Sequence, residues 1–165
     1  MGDGTTTQRT TPVLVSGGHA WASIAAGSYT VGITTSGDAY AWGSNSYGQL
    51  GDGTTTNRTT PVLVSGGHEW ASISAGDWPT VGITTSGDAY AWGRNEQGDF
   101  PVPSTTNRTT PVLVSGGHTW ASVAVGDYHT VGITTSGVAY AWGRNINGIR
   151  GGEIVGGGQL GDGTT

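Results

Sequence analysis

The sequence predicts an all-β protein made of β-propeller blades, three four-stranded antiparallel blades per chain. Three observations carry that expectation. Pro12–His19 returns as Pro61–His68 and Pro111–His118, a period of about 50 residues that suits a four-stranded blade. Each unit holds short apolar or alternating runs broken by Gly-containing turns, which is the pattern of strands. Seven Trp and six Tyr, most at fixed places in the unit, supply the bulky apolar surface that a chain with 32 Gly would otherwise lack.

Each unit reads as four strands. Strand one, near Trp21 to Ala26, is built of small and apolar residues and suits the crowded centre of a propeller. Strand two, near Thr30 to Thr34, is β-branched and alternating. The Thr35-Ser36-Gly37 turn supplies hairpin chemistry. Strand three, near Asp38 to Trp42, puts Tyr40 and Trp42 on one face and Ala39 and Ala41 on the other. Strand four, near Thr59 to Val64, contains Pro61. Proline cannot donate to a ladder, so this is the outermost strand of the blade.

Two stretches carry a family resemblance. One is Val125-Gly126-Asp127-Tyr128-His129-Thr130-Val131-Gly132-Ile133-Thr134, followed by Gly137 and by Ala139-Tyr140-Ala141-Trp142-Gly143-Arg144-Asn145. The other is Trp42-Gly43-Ser44-Asn45-Ser46-Tyr47-Gly48-Gln49-Leu50-Gly51-Asp52-Gly53. Both resemble the regulator of chromosome condensation repeat, and the likeness runs over nearly the whole chain. The resemblance implies a β-propeller, usually seven-bladed. It also implies a surface that binds proteins, since the family includes a chromatin-bound nucleotide-exchange factor, plant light receptors and a β-lactamase inhibitor. Which partner is bound does not follow from the fold.

The units divide the chain into an orphan outer strand (1–15), blade 1 (16–64), blade 2 (65–114) and blade 3 lacking its outer strand (115–165). The chain begins Met1-Gly2-Asp3, inside a unit, which reads as a cut or engineered start. Propellers have about four to eight blades. Three leave an apolar face and an unpaired edge at each end of the stack. The expectation is a homodimer, in which each chain donates its first strand and two chains close a six-bladed ring. Six is one short of the number usual in the family. The rival expectation is a fragment or a designed repeat protein with no function of its own.

Composition narrows the function. The formal net charge is −5, and the cations are six scattered Arg with no Lys, so no basic face for nucleic acid is expected. No apolar run approaches the ~18 residues of a membrane span. No signal peptide is visible, and localisation stays unknown. Cysteine is absent, so disulfides are excluded.

The copies differ mainly in two loops. The loop between strands one and two reads Gly27-Ser28-Tyr29, Gly76-Asp77-Trp78-Pro79 and Gly126-Asp127-Tyr128-His129, one residue shorter in the first copy. Tyr29, Trp78 and Tyr128 are read as equivalent positions. The loop between strands three and four differs at most of its positions, and copy three adds an insert at 149–158. Both loops lie at the same end of an up-and-down blade. Variation confined to one end of a fixed scaffold points to a binding surface for an unknown protein or, alternatively, a glycan. The candidate contacts are Tyr29, Tyr47, Trp78, Arg94, Glu96, Phe100, Asp127, Tyr128, His129, Arg144, Arg150 and Glu153, the aromatic and Arg members being residue types of interface hot spots.

No catalytic, metal or cofactor site is expected, and the chain is read as a binding module and not an enzyme. His19, His68 and His118 lie one per blade, too far apart to share a metal, and are read as structural. Gly-Asp-Gly-Thr at Asp3, Asp52 and Asp162 lacks the further acids of a calcium loop and reads as a turn. Asp77, Asp99, Asp127, Glu96 and Glu153 share the variable end, but nothing pairs two of them as a glycosidase requires.

Overall fold

The computed structural model of the chain describes residues 1–96, 98, 100–102, 104–145, 148–150, 153–155 and 160–161, the side chains of 148–150 and 153–155 excepted. All its elements are strands. β1 (Trp21–Ala26), β2 (Tyr29–Thr34), β3 (Ala39–Gly43) and β4 (Arg58–Leu63) form one sheet in chain order. β5 (Trp70–Ala75), β6 (Pro79–Thr84), β7 (Ala89–Gly93) and β8 (Arg108–Leu113) form a second. β9 (Trp120–Val125), β10 (His129–Thr134) and β11 (Ala139–Gly143) form a third, of three strands. β12 (Gly148–Arg150) and β13 (Glu153–Val155) pair as a short hairpin inside the insert. No helix among the described residues is long and apolar enough to cross a membrane.

Strand parity explains what faces what. In β2, Tyr29, Val31 and Ile33 share one side and are buried, as are Ala39 and Ala41 of β3. They pack, with Leu50 and Val64, on Trp70 and Trp92 of the second blade. The second interface repeats the first: Val81, Ile83, Ala89, Ala91, Phe100 and Val114 pack on Trp120, with Val123, Val125 and Trp142 at its edge. The cores therefore lie between sheets, and no sheet has a core of its own. Each blade's leading side presents the Trp residues, and its trailing side presents Val, Ile and Ala.

Gly32, Gly82 and Gly132 make the Trp packing possible. A Cβ at these positions would come within 2.7, 2.5 and 2.6 Å of the rings of Trp21, Trp70 and Trp120. Each His seen as structural stacks on a Tyr of its own blade, His19 on Tyr40 at 4.0 Å, His68 on Tyr90 at 4.1 Å and His118 on Tyr140 at 4.2 Å. Consecutive blades are also stitched by backbone: Trp70 N–H donates to the Gly37 carbonyl at 2.9 Å, and Trp120 N–H to that of Gly87 at 2.8 Å.

The segment before β1 forms no ladder in this chain. Thr10–Val15, read as an outer strand, therefore has no strand beside it among the described residues.

Candidate functional site

The loops between strands one and two and between strands three and four meet at one end of the blades. A buried asparagine organises each longer loop. Asn45 Nδ2 donates to the Thr54 carbonyl at 3.1 Å and the Thr56 carbonyl at 3.0 Å, and its Oδ1 accepts from Leu50 N–H at 2.9 Å. Asn95 repeats the pattern with Ser104 and Phe100, at 2.6 and 2.9 Å, and Asn145 Oδ1 accepts from Leu160 N–H at 3.2 Å. Asn45 and Asn95 are fully buried. Sequence reasoning missed these asparagines, although their identity in all three copies inside a variable loop was a visible signal.

Asp52 braces the first of these loops. It accepts from Thr54 N–H at 3.0 Å and pairs with Arg58 at 2.7 Å. Burial pushes its pKa up, but the bonds from Thr54 and Arg58 outweigh burial and hold it below the ordinary carboxylate value. Asp3 does the same for the N-terminal segment: the Thr5 N–H, then Arg9, bring its pKa down to about 2. In copy two Val102 stands at the Asp52 place, and Arg108 Nε is left buried without a partner.

Two expected contact residues are not at the surface. Tyr29 is 2% exposed, because β2 starts there and not at Thr30, and strand parity turns the ring inward with Val31 and Ile33. Its hydroxyl donates to the Pro79 carbonyl at 2.8 Å and shares a hydrogen bond with Thr80 Oγ1 at 2.6 Å, while burial pushes its pKa up. The register corrects the alignment as well. Tyr29, Pro79 and His129 each stand opposite the glycine that ends strand three, so Ser28, and not Tyr29, is the counterpart of Trp78 and Tyr128. Phe100 is 3% exposed and fills, between blades 2 and 3, the place that Leu50 fills between blades 1 and 2.

Five other candidates come together in one row across the blades. Tyr47 and Trp78 meet edge to face at 6.5 Å, and Trp78 meets Tyr128 at 5.8 Å. The Arg94 guanidinium lies 5.4 Å from the Tyr47 ring and 5.0 Å from that of Trp78. The Arg144 guanidinium lies 5.3 Å from the Tyr128 ring. All five side chains are half-buried. Glu96 is exposed beside the row, bonded to Arg94 Nε at 3.2 Å and to Asn107 Nδ2 at 3.2 Å. Ser28 Oγ donates to the Asp77 carbonyl and ties the first short loop to the second. Asp127 and His129 are half-buried beside Tyr128. Arg150 and Glu153 stand opposite each other in the β12–β13 hairpin, and their side chains, like Asp99 and Asp162, lie outside the described residues. Among the described residues no three His, Cys, Asp or Glu side chains group as metal ligands would.

Comparison with known proteins gives a consistent result. A model described as the regulator of chromosome condensation (RCC1) repeat matches residues 36–83 and 86–133, and a second of the same description matches 21–49, 70–99 and 120–149. No curated protein sequence matches the chain. Among solved structures, human WBSCR16 superposes with a TM-score of 0.73 at 18% identity, covering 86% of this chain and 37% of that one. Prp20p of Saccharomyces cerevisiae, described with its binding to Gsp1p and histones, gives 0.65 at 24% identity, covering 74% and 33%. Yeast RCC1 (Prp20) in a complex with Kap60 gives 0.63 at 24% identity, covering 74% and 32%. The chain thus spans about a third of the length of these structures.

Proposed function

The chain belongs to the regulator of chromosome condensation repeat family, and from that premise we propose that it is a protein-binding propeller scaffold whose contact surface is the aromatic and arginine row at the loop end of its blades. The observation that carries this reading is the row itself. Tyr47, Arg94, Trp78, Tyr128 and Arg144 come from loops of all three blades and make one continuous strip. Such side chains lose little further entropy on binding when neighbours already hold them, and Tyr, Trp and Arg dominate interface energetics. Two of the similar structures are described with protein partners, which supports the same class of ligand.

The reading is non-catalytic. The carboxylates at this end with described bonds are engaged in bracing: Asp52 with Arg58, Glu96 with Arg94 and Asn107. A glycan-binding alternative has less support. Trp78 and Tyr128 lean on each other at 46° and each carries a guanidinium, whereas sugar stacking needs an open ring face.

The test is an affinity capture from source-cell lysate with the chain and a Trp78→Ala/Arg94→Ala variant, beside a glycan array. Proteins retained by the chain and lost with the variant, while a Ser86→Ala change at the opposite end retains them, are the expected result. Capture that ignores Trp78 and Arg94, or binding only on the glycan array, defeats the reading.

A further inference from the structure

Arg94 and Arg144 stand at the same place in successive blades. Each follows the glycine that ends strand three. The same backbone bond holds both: Arg94 N–H donates to the Trp78 carbonyl at 3.4 Å, and Arg144 N–H to the Tyr128 carbonyl at 2.7 Å. Each then lays its guanidinium over the ring of that same residue, at 5.0 and 5.3 Å. A ring beneath a guanidinium fixes the position of the charge and leaves the N–H groups, which lie in the guanidinium plane, for other acceptors.

The two arginines differ in what meets those donors. Arg94 Nε donates to Glu96 Oε2 at 3.2 Å, and Glu96 Oε1 accepts from Asn107 Nδ2 at 3.2 Å. In blade 3 the residue two places after the arginine is Ile146, so the sequence has no acid at the Glu96 place. Among the described residues no carboxylate pairs with Arg144, and its Nε is buried without a hydrogen-bond partner. Arg9 and Arg58 are paired as Arg94 is, with Asp3 and Asp52, each at 2.7 Å. Arg108 Nε is orphaned too, but there Val102 stands at the place of the carboxylate and packs into the core between blades 2 and 3. Arg144 is thus the arginine of the aromatic row whose charge the described residues leave uncompensated. Such a group has given up water and gained no acceptor in return, an arrangement that folded chains mostly avoid.

We propose that Arg144 receives a carboxylate of the protein partner, an Asp or Glu side chain that pairs with it as Glu96 pairs with Arg94. This rests on the reading of the row as the contact surface and names the chemistry of one contact within it. The Arg144 side chain is half-buried and not enclosed, so a partner group approaches it from outside. Trp78 and Tyr128, 5.8 Å apart, lie beside it as an apolar platform. The partner segment that fits is therefore an acid flanked by an apolar side chain. Glu96 already occupies Arg94, so the row calls for one acid and not two. The formal net charge of −5 gives the chain no long-range pull on an acidic segment. The pair therefore acts on the bound complex and its dissociation more than on encounter.

Two probes test this. Sodium acetate is titrated into isotope-labelled chain against sodium chloride at constant ionic strength, and the arginine Nε–H signals are followed by NMR, with Arg94→Lys and Arg144→Lys variants to assign them. The Arg144 signal should move and the Arg94 signal should stay, and in Glu96→Gln both should move. An Arg144 signal indifferent to acetate overturns the proposal, as does an Arg94 signal that responds equally in the unmodified chain. Inorganic phosphate is titrated in parallel, and movement with phosphate alone overturns the assignment to a carboxylate. Random peptides displayed on phage are then selected on the chain. Those that lose binding to Trp78→Ala should carry Asp or Glu at one fixed position. Arg144→Gln should weaken them about 10-fold or more with the β-sheet circular dichroism unchanged, because charge-assisted hydrogen bonds are the stronger ones. Trp78-dependent peptides that lack the acid, or that Arg144→Gln leaves unaffected, overturn this inference and leave the reading of the row standing. Peptides that ignore Trp78 defeat the reading of the row and this inference with it.

Discussion

In blade 2, Val81, Ile83, Ala89 and Ala91 are buried beneath the next blade; in blade 3, at the same four places, Ile133 and Ala139 are exposed and Val131 and Ala141 half-buried, with Ile133 44% exposed against 3% for Ile83. The local strands are alike, with the same pairing of strand two to strand three in each. Only the neighbour differs. A blade of this kind is thus a surface that waits for another surface, and its stability belongs to the interface between blades, as expected of repeat arrays.

The dependence of one blade on the next is greatest at the centre of the first interface. Trp92 is fully buried and its Nε1 donates to the Gln49 carbonyl at 3.0 Å, so it fastens the blade 1 loop to blade 2. Trp92→Ala should cost about 3–5 kcal/mol, read from the urea midpoint followed by circular dichroism. A loss below ~1 kcal/mol would mean that the blades do not depend on one another.

A matched pair of substitutions isolates the contribution of the neighbouring blade. Ile83→Ala should cost about 2–5 kcal/mol, and Ile133→Ala less than ~1 kcal/mol, by the midpoint of urea unfolding. Equal costs would show that the trailing side of blade 3 is covered by residues of its own chain.

The smallest effect lies in the loops. Asp52 and Arg58 brace the first loop, whereas the second has Val102 and an unpartnered Arg108 Nε. The folded pKa of Asp52 lies below its unfolded value of about 3.9, so its stabilisation is present above that pH and is lost as pH falls through the folded value. Asp52→Val should cost about 1 kcal/mol at pH 7, after allowance for solvent screening, and nothing more at the acid end. Urea midpoints at pH 7 and near pH 2.5 check this. A cost that is the same at both would assign it to lost packing.

The candidate site was partly legible. Tyr47, Trp78, Arg94, Tyr128 and Arg144 stood out by residue type and by their place in variable loops, and they do form one row. Tyr29 and Phe100 stood out for the same reasons and are interior. Parity from Val31 back to Tyr29 would have turned Tyr29 inward, had the start of the strand been placed one residue earlier. Phe100 offered less, since its role as a plug depends on Asn95 Oδ1 holding its N–H and on a blade lying above it.

Strands, turns and the outer position of the Pro-containing strand were written locally, because alternation, Gly turns and a missing donor act over a few residues and need no knowledge of the rest of the chain. Burial was not. Ile83 and Ile133 sit in the same local sequence, Val-Gly-Ile-Thr-Thr-Ser-Gly, and no local rule separates them. What separates them is whether a Trp-bearing blade stands opposite: Trp120 does so for Ile83, and no described blade does so for Ile133. Hydrophobic stabilisation follows the area removed from water, and that area is set by the partner surface and not by the side chain that meets it.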